Sequence, residues 1–258
     1  KAGFTVVAGL RDGDTGKRLR EAAEGLDVHP VSLDVTKADQ REEAVARIEA
    51  DFGRLDGLVN NAGIALGGFL EQVEEDELRR VFEVNVFGAW ALTKACLPLF
   101  RRSGGGTVVQ VSSMGGRMAM PGLGAYASSK FALEGLSEAW RHELKPFGIH
   151  VVLIEPGAYR TDIFGRNRSL CRNARDPDSP YAPWMAATDR LFEKVVDRIA
   201  RDPAEVCQRI VALLGQRNPP LRVPLGPLAK PRDKIRQLLP FGLSEALFAQ
   251  AFKRLKER

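Results

Sequence analysis

The sequence predicts one α/β domain built around a parallel β-sheet that helices cover on both faces. Two observations predict it: short continuous apolar runs alternate with segments of helical period, and polar residues follow where those runs end. Strands of this kind, separated by helices, are typical of parallel sheets buried on both faces. With 258 residues, 44% of them hydrophobic, the chain is long enough for one large domain or two small ones.

Five apolar runs are the predicted strands, and helical segments lie between them. We predict strands at residues 4–10, 28–33, 55–59, 107–112 and 149–154, and helices at 16–25, 39–52, 74–102 and 126–147. Gly53 is expected to cap the second helix, and Pro98 to bend or end the third. Because parallel sheets bind ligands at the carboxyl ends of their strands, the residues there are candidates for a site. They are Arg11, Asp34, Asn60, Ser113 and Pro156.

The sequence changes in character after Thr161. Residues 163–187 show little periodicity, and helices are predicted at 188–201 and 203–215. A proline-rich stretch at 219–231 leads to a basic amphipathic tail at 234–258. Within the single domain we therefore predict a helical lid region over 163–215 and a C-terminal extension over 219–258.

The composition excludes several other classes of protein. No run approaches the roughly eighteen apolar residues of a membrane-spanning helix, and a net charge of +5 argues against disorder. Three scattered cysteines and three scattered histidines match no disulfide framework and no metal-ligand spacing. We therefore expect free thiols in a reducing cytoplasm and no metal. The excess of arginine is spread along the chain, which indicates a basic surface rather than a nucleic-acid partner.

Tyr126 and Lys130 are the first sign of chemistry. They lie four positions apart in a predicted helix and therefore share one of its faces. A free tyrosine has a pKa of about 10, and lowering it by about two to three units takes about 3–4 kcal/mol. A lysine ammonium about 4 Å away supplies about 4 kcal/mol at an effective dielectric constant of about 20. The pair can therefore act as a tuned general acid and base.

Three further polar motifs accompany this pair. Ser113 follows a predicted strand, where its hydroxyl can hydrogen-bond a developing oxyanion. The NNAG motif at 60–63 also fits a simple turn. Asn85 lies inside an otherwise apolar helix, where an asparagine is ordinarily solvated or bonded to the backbone. A PGxxxT motif at 156–161 follows another predicted strand.

Together, these motifs resemble those of the short-chain dehydrogenase/reductase family in order and spacing from residue 1 to about 162. The matching elements are NNAG at 60–63, NxxG at 85–88, SS at 112–113, YASSK at 126–130 and PGxxxT at 156–161. The resemblance implies a Rossmann-type, doubly wound sheet, a nicotinamide cofactor and reversible hydride transfer between a carbonyl and an alcohol. A catalytically silent relative with a binding or regulatory role is the alternative, and the complete set of catalytic residues argues against it.

The resemblance also implies a role for each matching residue. Tyr126 would be the general acid or base, and Ser113 would polarise the substrate carbonyl. Lys130 would lower the pKa of Tyr126 and bind the nicotinamide ribose, while Asn85 would hold a water in the proton relay. Asn60, Ala62 and Gly63 would line the adenosine and ribose. Thr161 would contact the carboxamide, and Pro156 and Gly157 complete the expected cofactor contacts.

The ends of the first two predicted strands favour NADP(H) over NAD(H). A carboxylate at the end of the family's second strand would bind the adenosine 2′-hydroxyl and repel a 2′-phosphate. The aligned position here is Leu10, followed by Arg11, whose planar guanidinium suits phosphate, although an exposed surface arginine would look the same. Asp34 and Val35 resemble the family's adenine contact, and a capping aspartate would look identical.

The family's first strand and glycine-rich phosphate loop would precede residue 1 and are absent from the sequence. In that loop, backbone N–H groups at a helix N-terminus hold the pyrophosphate. Gly104, Gly105 and Gly106 do not replace it, because they precede a strand. We expect that the sequence omits a short N-terminal segment rather than that the protein has lost it.

The lid region resembles, less specifically, the steroid- and retinol-dehydrogenase-like members of the family. Either an apolar pocket for a bulky, lipophilic ketone, aldehyde or secondary alcohol or simple packing of the lid would explain its large apolar residues. These are Phe164, Leu170, Tyr181, Trp184 and Met185. We expect the tail to pack on its own domain or on a neighbouring subunit rather than on a membrane. Family members are commonly dimers or tetramers, so a homodimer or homotetramer joined through the two long helices is expected.

Overall fold

Strands and helices alternate along the chain, as the apolar runs predict. The computed structural model describes residues 2–11, 13–161, 163 and 168–226, with three residue pairs at 242–243, 245–246 and 249–250. The strands are β1 Val6–Leu10, β2 Val28–Ser32, β3 Gly57–Asn60, β4 Ala65–Gly67, β5 Gly106–Val111, β6 Ile149–Pro156, β7 Arg168–Leu170 and β8 Arg222–Leu225. The helices are α1 Gly13–Ala22, α2 Ala38–Phe52, α3 Glu75–Phe82, α4 Ala89–Arg102, α5 Gly124–Glu143, α6 Ala182–Ile199 and α7 Ala204–Leu214.

A four-stranded parallel sheet in the order β3-β5-β6-β8 forms the centre of the fold. Alternate residues of its middle strands face opposite layers of helices. Val108 and Val151 pack with Phe100 of α4 and Trp140 of α5, whereas neighbouring strand residues pack with Leu213 of α7. The predicted α/β architecture, a parallel sheet with helices on both faces, is therefore confirmed.

Two smaller parallel pairs accompany the central sheet in the described part of the chain. One joins β1 to β2 and the other joins β4 to β7. The strands β4, β7 and β8 were not predicted. The first two contain three residues each, which is too short for a periodicity to show, and β8 contains Pro224 within the proline-rich stretch.

The predicted long helix at 74–102 is interrupted by one turn of π-helix at Glu83–Gly88. Pro98 lies inside α4 and does not end it, since the helix continues to Arg102. The helix still packs on the core after Pro98, because Leu99 and Phe100 are fully buried. The predicted helix at 188–201 instead begins at Ala182, since a proline at the next position is tolerated in a first helical turn. Gly53 caps α2 with a left-handed backbone, as predicted.

No helix in the described ranges is both long enough and apolar enough to cross a membrane. Most of the predicted tail at 234–258 lies outside those ranges.

Candidate active site

The candidate residues gather at the carboxyl edge of the central sheet. Asn60 ends β3, Ser113 follows β5 by two residues, and Pro156 ends β6. Because these three strands are parallel neighbours, the segments after them open at the same edge. The first turn of α5, which carries Tyr126, comes to this edge from the next layer.

Ser113 and Tyr126 form the centre of the site. Their side chains are hydrogen-bonded to each other, and the Tyr126 ring is buried. The Ser113 hydroxyl also accepts a hydrogen bond of 3.0 Å from the backbone N–H of Gly115. A Cβ at Gly115 would lie 3.3 Å from the Tyr126 ring and 3.4 Å from Ser113 Oγ. The glycine therefore lets the loop pack closely against the Tyr126 ring and the Ser113 hydroxyl.

Lys130 lies one turn after Tyr126 on α5 and is also buried. Its Nζ donates a 2.8 Å hydrogen bond to the carbonyl of Val111, at the end of β5, and lies 5.8 Å from the centre of the Tyr126 ring. Lys130 has three N–H bonds to donate, and Val111 takes one of them among the described residues. A donor set of this kind fits the ribose hydroxyls of a nicotinamide cofactor.

Burial shifts the pKa of Tyr126 in the direction opposite to the expected one. Removal of the phenol from water raises the pKa of Tyr126 from its ordinary value, and the hydrogen bond with Ser113 opposes that rise only in part. Burial likewise lowers the pKa of Lys130 to about 8, against the charge of Glu134. The causes of this shift are burial and the hydrogen bond with Ser113, and the predicted lowering of the Tyr126 pKa by Lys130 stays a prediction.

Asn85 fastens the NNAG segment to the catalytic helix. Its Oδ1 accepts from the Ile64 N–H at 2.9 Å, and its Nδ2 donates to the Ile64 carbonyl at 3.0 Å and to Ser129 Oγ at 2.9 Å. Asn85 lies in the π-helical turn, and turns of this kind are frequent at functional sites. A Cβ at Gly63 would lie 3.4 Å from Asn85 Oδ1 and 3.6 Å from Lys130 Nζ. Asn85, Ser113, Tyr126 and Lys130 are thus brought together.

Ser129 is a residue of the site that the motif search missed. Its hydroxyl donates to the Tyr126 carbonyl at 2.7 Å and accepts the hydrogen bond from Asn85. The signal that indicates it is its spacing of three residues from Tyr126, which places a serine hydroxyl beside the carbonyl of the preceding turn.

The side chain of Asn60 turns into the protein. Its Nδ2 donates a 2.8 Å hydrogen bond to Thr93 Oγ1, which in turn donates to the Ala89 carbonyl of α4. This buried chain of hydrogen bonds holds β3 against α4, and the expected lining of the adenosine and ribose by Asn60 stays a prediction. Ala62 is exposed and Gly63 half-buried, and their backbone remains at the edge of the sheet.

Arg11 and Asp34 follow adjacent strands and influence each other. The Leu33 N–H donates to the Leu10 carbonyl, which brings the two strand ends side by side. Asp34 accepts hydrogen bonds from the hydroxyl and the N–H of Thr36, and these, followed by weaker attraction to charges that include Arg11, lower the pKa of Asp34. Asp34 therefore makes a local turn with Thr36 and does not cap α2, whose N-cap is Lys37 without a side-chain hydrogen bond, and the expected adenine contact stays a prediction.

The segment after Asp34 packs directly against the catalytic layer. A Cβ at Gly88, the end of the π-helical turn, would lie 2.7 Å from Val35 Cγ2, so only glycine allows this approach. The Val35 carbonyl accepts a 2.6 Å hydrogen bond from Arg41.

The PGxxxT segment is held by the C-terminal part of the fold. Pro156 pairs with Leu225 of β8, and the Gly157 N–H donates to the Leu225 carbonyl at 2.9 Å. Thr161 is exposed at the end of this segment.

The predicted pocket residues of the lid pack mainly onto the domain. Met185 is buried, and Tyr181 stacks on Phe69 with 4.6 Å between ring centres while its hydroxyl donates to Glu71 at 2.9 Å. Trp184 and Leu170 border the same apolar cluster. The structure therefore supports the packing alternative for these residues, and Phe164 lies outside the described residues. Across the described ranges, no cluster of His, Cys, Asp and Glu is arranged to hold a metal ion.

Comparison with known proteins agrees with this geometry. The family model for short chain dehydrogenases matches residues 1–171. The chain is 37% identical to human 17-beta-hydroxysteroid dehydrogenase type 1 over 227 residues, which cover 85% of this chain and 68% of that protein. It is 31% identical over 261 residues to the NADPH-dependent 3-dehydrocapnine reductase of Ornithobacterium rhinotracheale, with 99% and 91% covered.

A solved structure supports the fold over almost the whole chain. The crystal structure of a short-chain dehydrogenase from Streptomyces avermitilis matches with a TM-score of 0.79 and 35% identity, covering 98% of this chain and 88% of that one. The chain belongs to the short-chain dehydrogenase/reductase family. It is an oxidoreductase with the NAD(P)-binding fold of that family, which confirms the predicted family, fold and enzyme class.

Proposed function

We propose that this oxidoreductase transfers a hydride between NADP(H) and a ketone, aldehyde or secondary alcohol that is bulky and lipophilic. The observation that carries the proposal is the hydrogen-bonded pair of Ser113 and Tyr126 with Lys130 one turn below. Two hydroxyl groups directed to one point can bind and protonate a single carbonyl oxygen.

Each catalytic residue has a distinct task in this proposal. Tyr126 donates its proton to the carbonyl oxygen, and Ser113 donates a hydrogen bond to the same atom. Burial raises the pKa of Tyr126, which favours the protonated phenol that the reduction of a carbonyl requires. The nicotinamide cofactor, when bound, supplies the hydride in that direction.

Lys130 and Asn85 support these two hydroxyls. The N–H bonds of Lys130 that Val111 does not accept are directed to the ribose hydroxyls of the cofactor in this proposal. Asn85 binds the backbone of Ile64, directly after the NNAG motif, through both atoms of its amide, and its Nδ2 also donates to Ser129 of α5. Its assignment to a water-holding role in the proton relay remains part of the proposal.

Arg11 supports a preference for NADP(H). It is exposed directly after β1, at the carboxyl edge, where its charge reaches the neighbouring strand end. Asp34 Oδ1 accepts both hydrogen bonds from Thr36, so only its other carboxylate oxygen remains to accept one from a ribose hydroxyl. A guanidinium suits a 2′-phosphate by charge and by geometry. One relative is itself named as NADPH-dependent.

Exposed apolar side chains near the catalytic helix support a lipophilic substrate. Leu70 is 61% exposed and packs at Gly124, in the first turn of α5, and Met120 in the loop before α5 is 40% exposed. A similar protein is named for its action on a hydroxysteroid. In a panel of substrates, we expect bulky apolar ketones to turn over faster than small charged carbonyls, and the reverse order would refute this part of the proposal.

Exposed aromatic side chains also support self-association through the two long helices. Trp90 of α4 and Phe131 of α5 are each 38% exposed, and an interface between subunits would cover them. We propose a homodimer or homotetramer in which these helices form the interface.

Replacement of Tyr126 tests the catalytic proposal directly. Tyr126→Phe removes the acidic hydroxyl and keeps the ring, so we expect kcat to fall about 100- to 10,000-fold while cofactor affinity stays within a few-fold. Tyr181→Phe is the matched control, because it removes a hydroxyl that contacts Glu71 instead. A Tyr126→Phe enzyme with ordinary turnover would refute the mechanism.

A further inference from the structure

The lid is joined to the domain along residues 65–77, a segment that has no task in the mechanism above. At the start of this segment β7 of the lid pairs with β4, and the Cys171 N–H donates to the Gly67 carbonyl at 2.8 Å. At its end, in the first turn of α3, Glu77 Oε1 accepts a hydrogen bond of 2.9 Å from the Arg172 N–H. Contacts between the lid and this segment therefore run from β4 to α3.

Gln72 lies between these two contacts and is buried, with 5% of its surface exposed. Its Nε2 donates to the Asn173 carbonyl at 3.0 Å and to the Ser179 hydroxyl at 2.9 Å. Its Oε1 accepts from the Phe69 N–H at 3.3 Å. Both N–H bonds of the amide thus have an acceptor in the lid. Because a buried amide is costly unless its hydrogen bonds are made, this arrangement holds the lid in one place.

The Ser179 hydroxyl also binds Tyr181. It accepts a second hydrogen bond, of 3.2 Å, from the Tyr181 N–H. The Tyr181 ring stacks on Phe69 with 4.6 Å between ring centres, and its hydroxyl donates to Glu71 Oε2 at 2.9 Å. One residue of the lid therefore contacts both chain neighbours of Leu70.

Leu70 lies between the lid and the first turn of the catalytic helix. Its side chain is 61% exposed and packs at Gly124, where a Cβ would lie 2.6 Å from Leu70 Cγ. Two residues earlier, the Gly68 N–H donates to the Gly122 carbonyl at 2.9 Å, in the loop before α5. Tyr126 follows Gly124 by two residues in the same helical turn. An exposed apolar side chain thus packs on the turn that carries the proposed catalytic hydroxyl.

We propose that Gln72 is a positioning residue that determines substrate specificity: it fixes the lid on both neighbours of Leu70 and so holds Leu70 as an apolar wall of the substrate site. The inference rests on the proposed function, because the substrate site is assigned there. A wall that is already held in place needs no ordering when an apolar ketone binds, and this favours binding. A small carbonyl that is bound at Ser113 and Tyr126 does not reach the wall and gains nothing from it.

Hydrogen–deuterium exchange tests the positioning part without cofactor or turnover. Gln72→Met keeps the approximate volume of the side chain and removes its three hydrogen bonds. In the full chain we expect amide exchange over residues 171–185 to become about 3- to 30-fold faster, as for the loss of one or two hydrogen bonds, while β5 and β6 exchange as in the parent. Gln208→Met is the matched control, because it makes the same replacement at an exposed position of α7 and should change neither.

Steady-state kinetics test the specificity part. Gln72→Met should raise KM for a bulky apolar ketone about tenfold, while its kcat, and kcat/KM for a small charged carbonyl, stay within about twofold of the parent. A loss of folded enzyme would lower both rates equally and leave the ratio of the two kcat/KM values unchanged. Leu70→Ala should lower this ratio to a similar extent. Gln72→Met should then add little in the double variant with Leu70→Ala, because Gln72 acts through Leu70.

The lid side of the same contact keeps the test decisive if Gln72→Met does not fold. Ser179→Ala removes the acceptor that Gln72 and Tyr181 share, and the same changes in exchange and in the ratio are expected. Unchanged lid exchange overturns the inference, as does faster exchange with an unchanged ratio, or full additivity of the Gln72 and Leu70 variants. A parent enzyme that prefers small charged carbonyls refutes the proposed substrate class instead, and lid exchange then still decides whether Gln72 positions the lid.

Discussion

Replacement of Asn85 by alanine separates a structural from a chemical role for this residue. Asn85 is buried and makes three hydrogen bonds, two of them to the N–H and the carbonyl of Ile64. The alanine variant leaves both backbone groups without these partners. Each buried polar group left unsatisfied costs about 1–3 kcal/mol, which gives about 2–6 kcal/mol for the two.

The third hydrogen bond adds little to this loss. Ser129 keeps its 2.7 Å hydrogen bond to the Tyr126 carbonyl when Asn85 is removed. Ile64 is half-buried, so water can replace part of what the backbone groups lose. We therefore expect the lower half of the range, about 2–4 kcal/mol, in the free energy of unfolding.

Urea denaturation of the full chain measures this quantity, provided that the slope of the transition is unchanged. Asn61→Ala is the control, since it removes the same side chain from an exposed neighbouring position of the NNAG segment, and it should stay within about 0.5 kcal/mol of the parent. An Asn85→Ala protein that loses turnover but less than about 1 kcal/mol of stability would refute the reasoning. Asn85 would then contribute to the proton relay rather than to fastening the loop.

Two further predictions concern the cofactor and the assembly. Arg11→Ala should lower kcat/KM for NADP(H) about 10- to 100-fold, as expected for a lost charge-assisted contact, and leave NAD(H) kinetics nearly unchanged. The control Arg54→Ala removes an exposed arginine before β3, and equal losses with both cofactors would contradict the assignment. Trp90→Glu should lower the sedimentation coefficient by breaking an interface between subunits. Val211→Glu, which alters an exposed apolar residue of α7 outside the two long helices, should not, and an unchanged coefficient for Trp90→Glu would exclude α4 from the interface.

The sequence predicts the central architecture well because apolar runs and helical periods are local signals. The apolar runs at 107–112 and 149–154 correspond to β5 and β6, and the spacing of Tyr126 and Lys130 places them on one helix face. The three-residue strands β4 and β7 carry no period that a sequence search can detect. They depend on pairing between segments about one hundred residues apart.

The properties that tertiary burial determines are the ones that sequence reasoning missed. A lysine four residues from a tyrosine suggests a lowered tyrosine pKa, but the magnitude of desolvation depends on the β5 loop and α5 closing over the phenol. Asn60 is similar: its motif indicates a strand end, and only the position of Thr93 on α4 shows that its side chain turns inward. The sequence thus identifies these residues, but it does not determine where their side chains point or how deeply they are buried.

An ion pair joins the catalytic helix, which the family model covers, to β8, which lies beyond the matched residues. The catalytic motifs all lie within residues 1–171, yet the arginine that pairs with Glu134 comes from β8. The same strand accepts the hydrogen bond from Gly157 and so holds the PGxxxT segment at the sheet edge. A substitution in β8 can therefore act on two parts of the fold at once, through the ion pair with Glu134 of the catalytic helix and through the backbone beside the expected cofactor. For this reason we expect turnover to depend on Arg222, although it lies outside the family motifs.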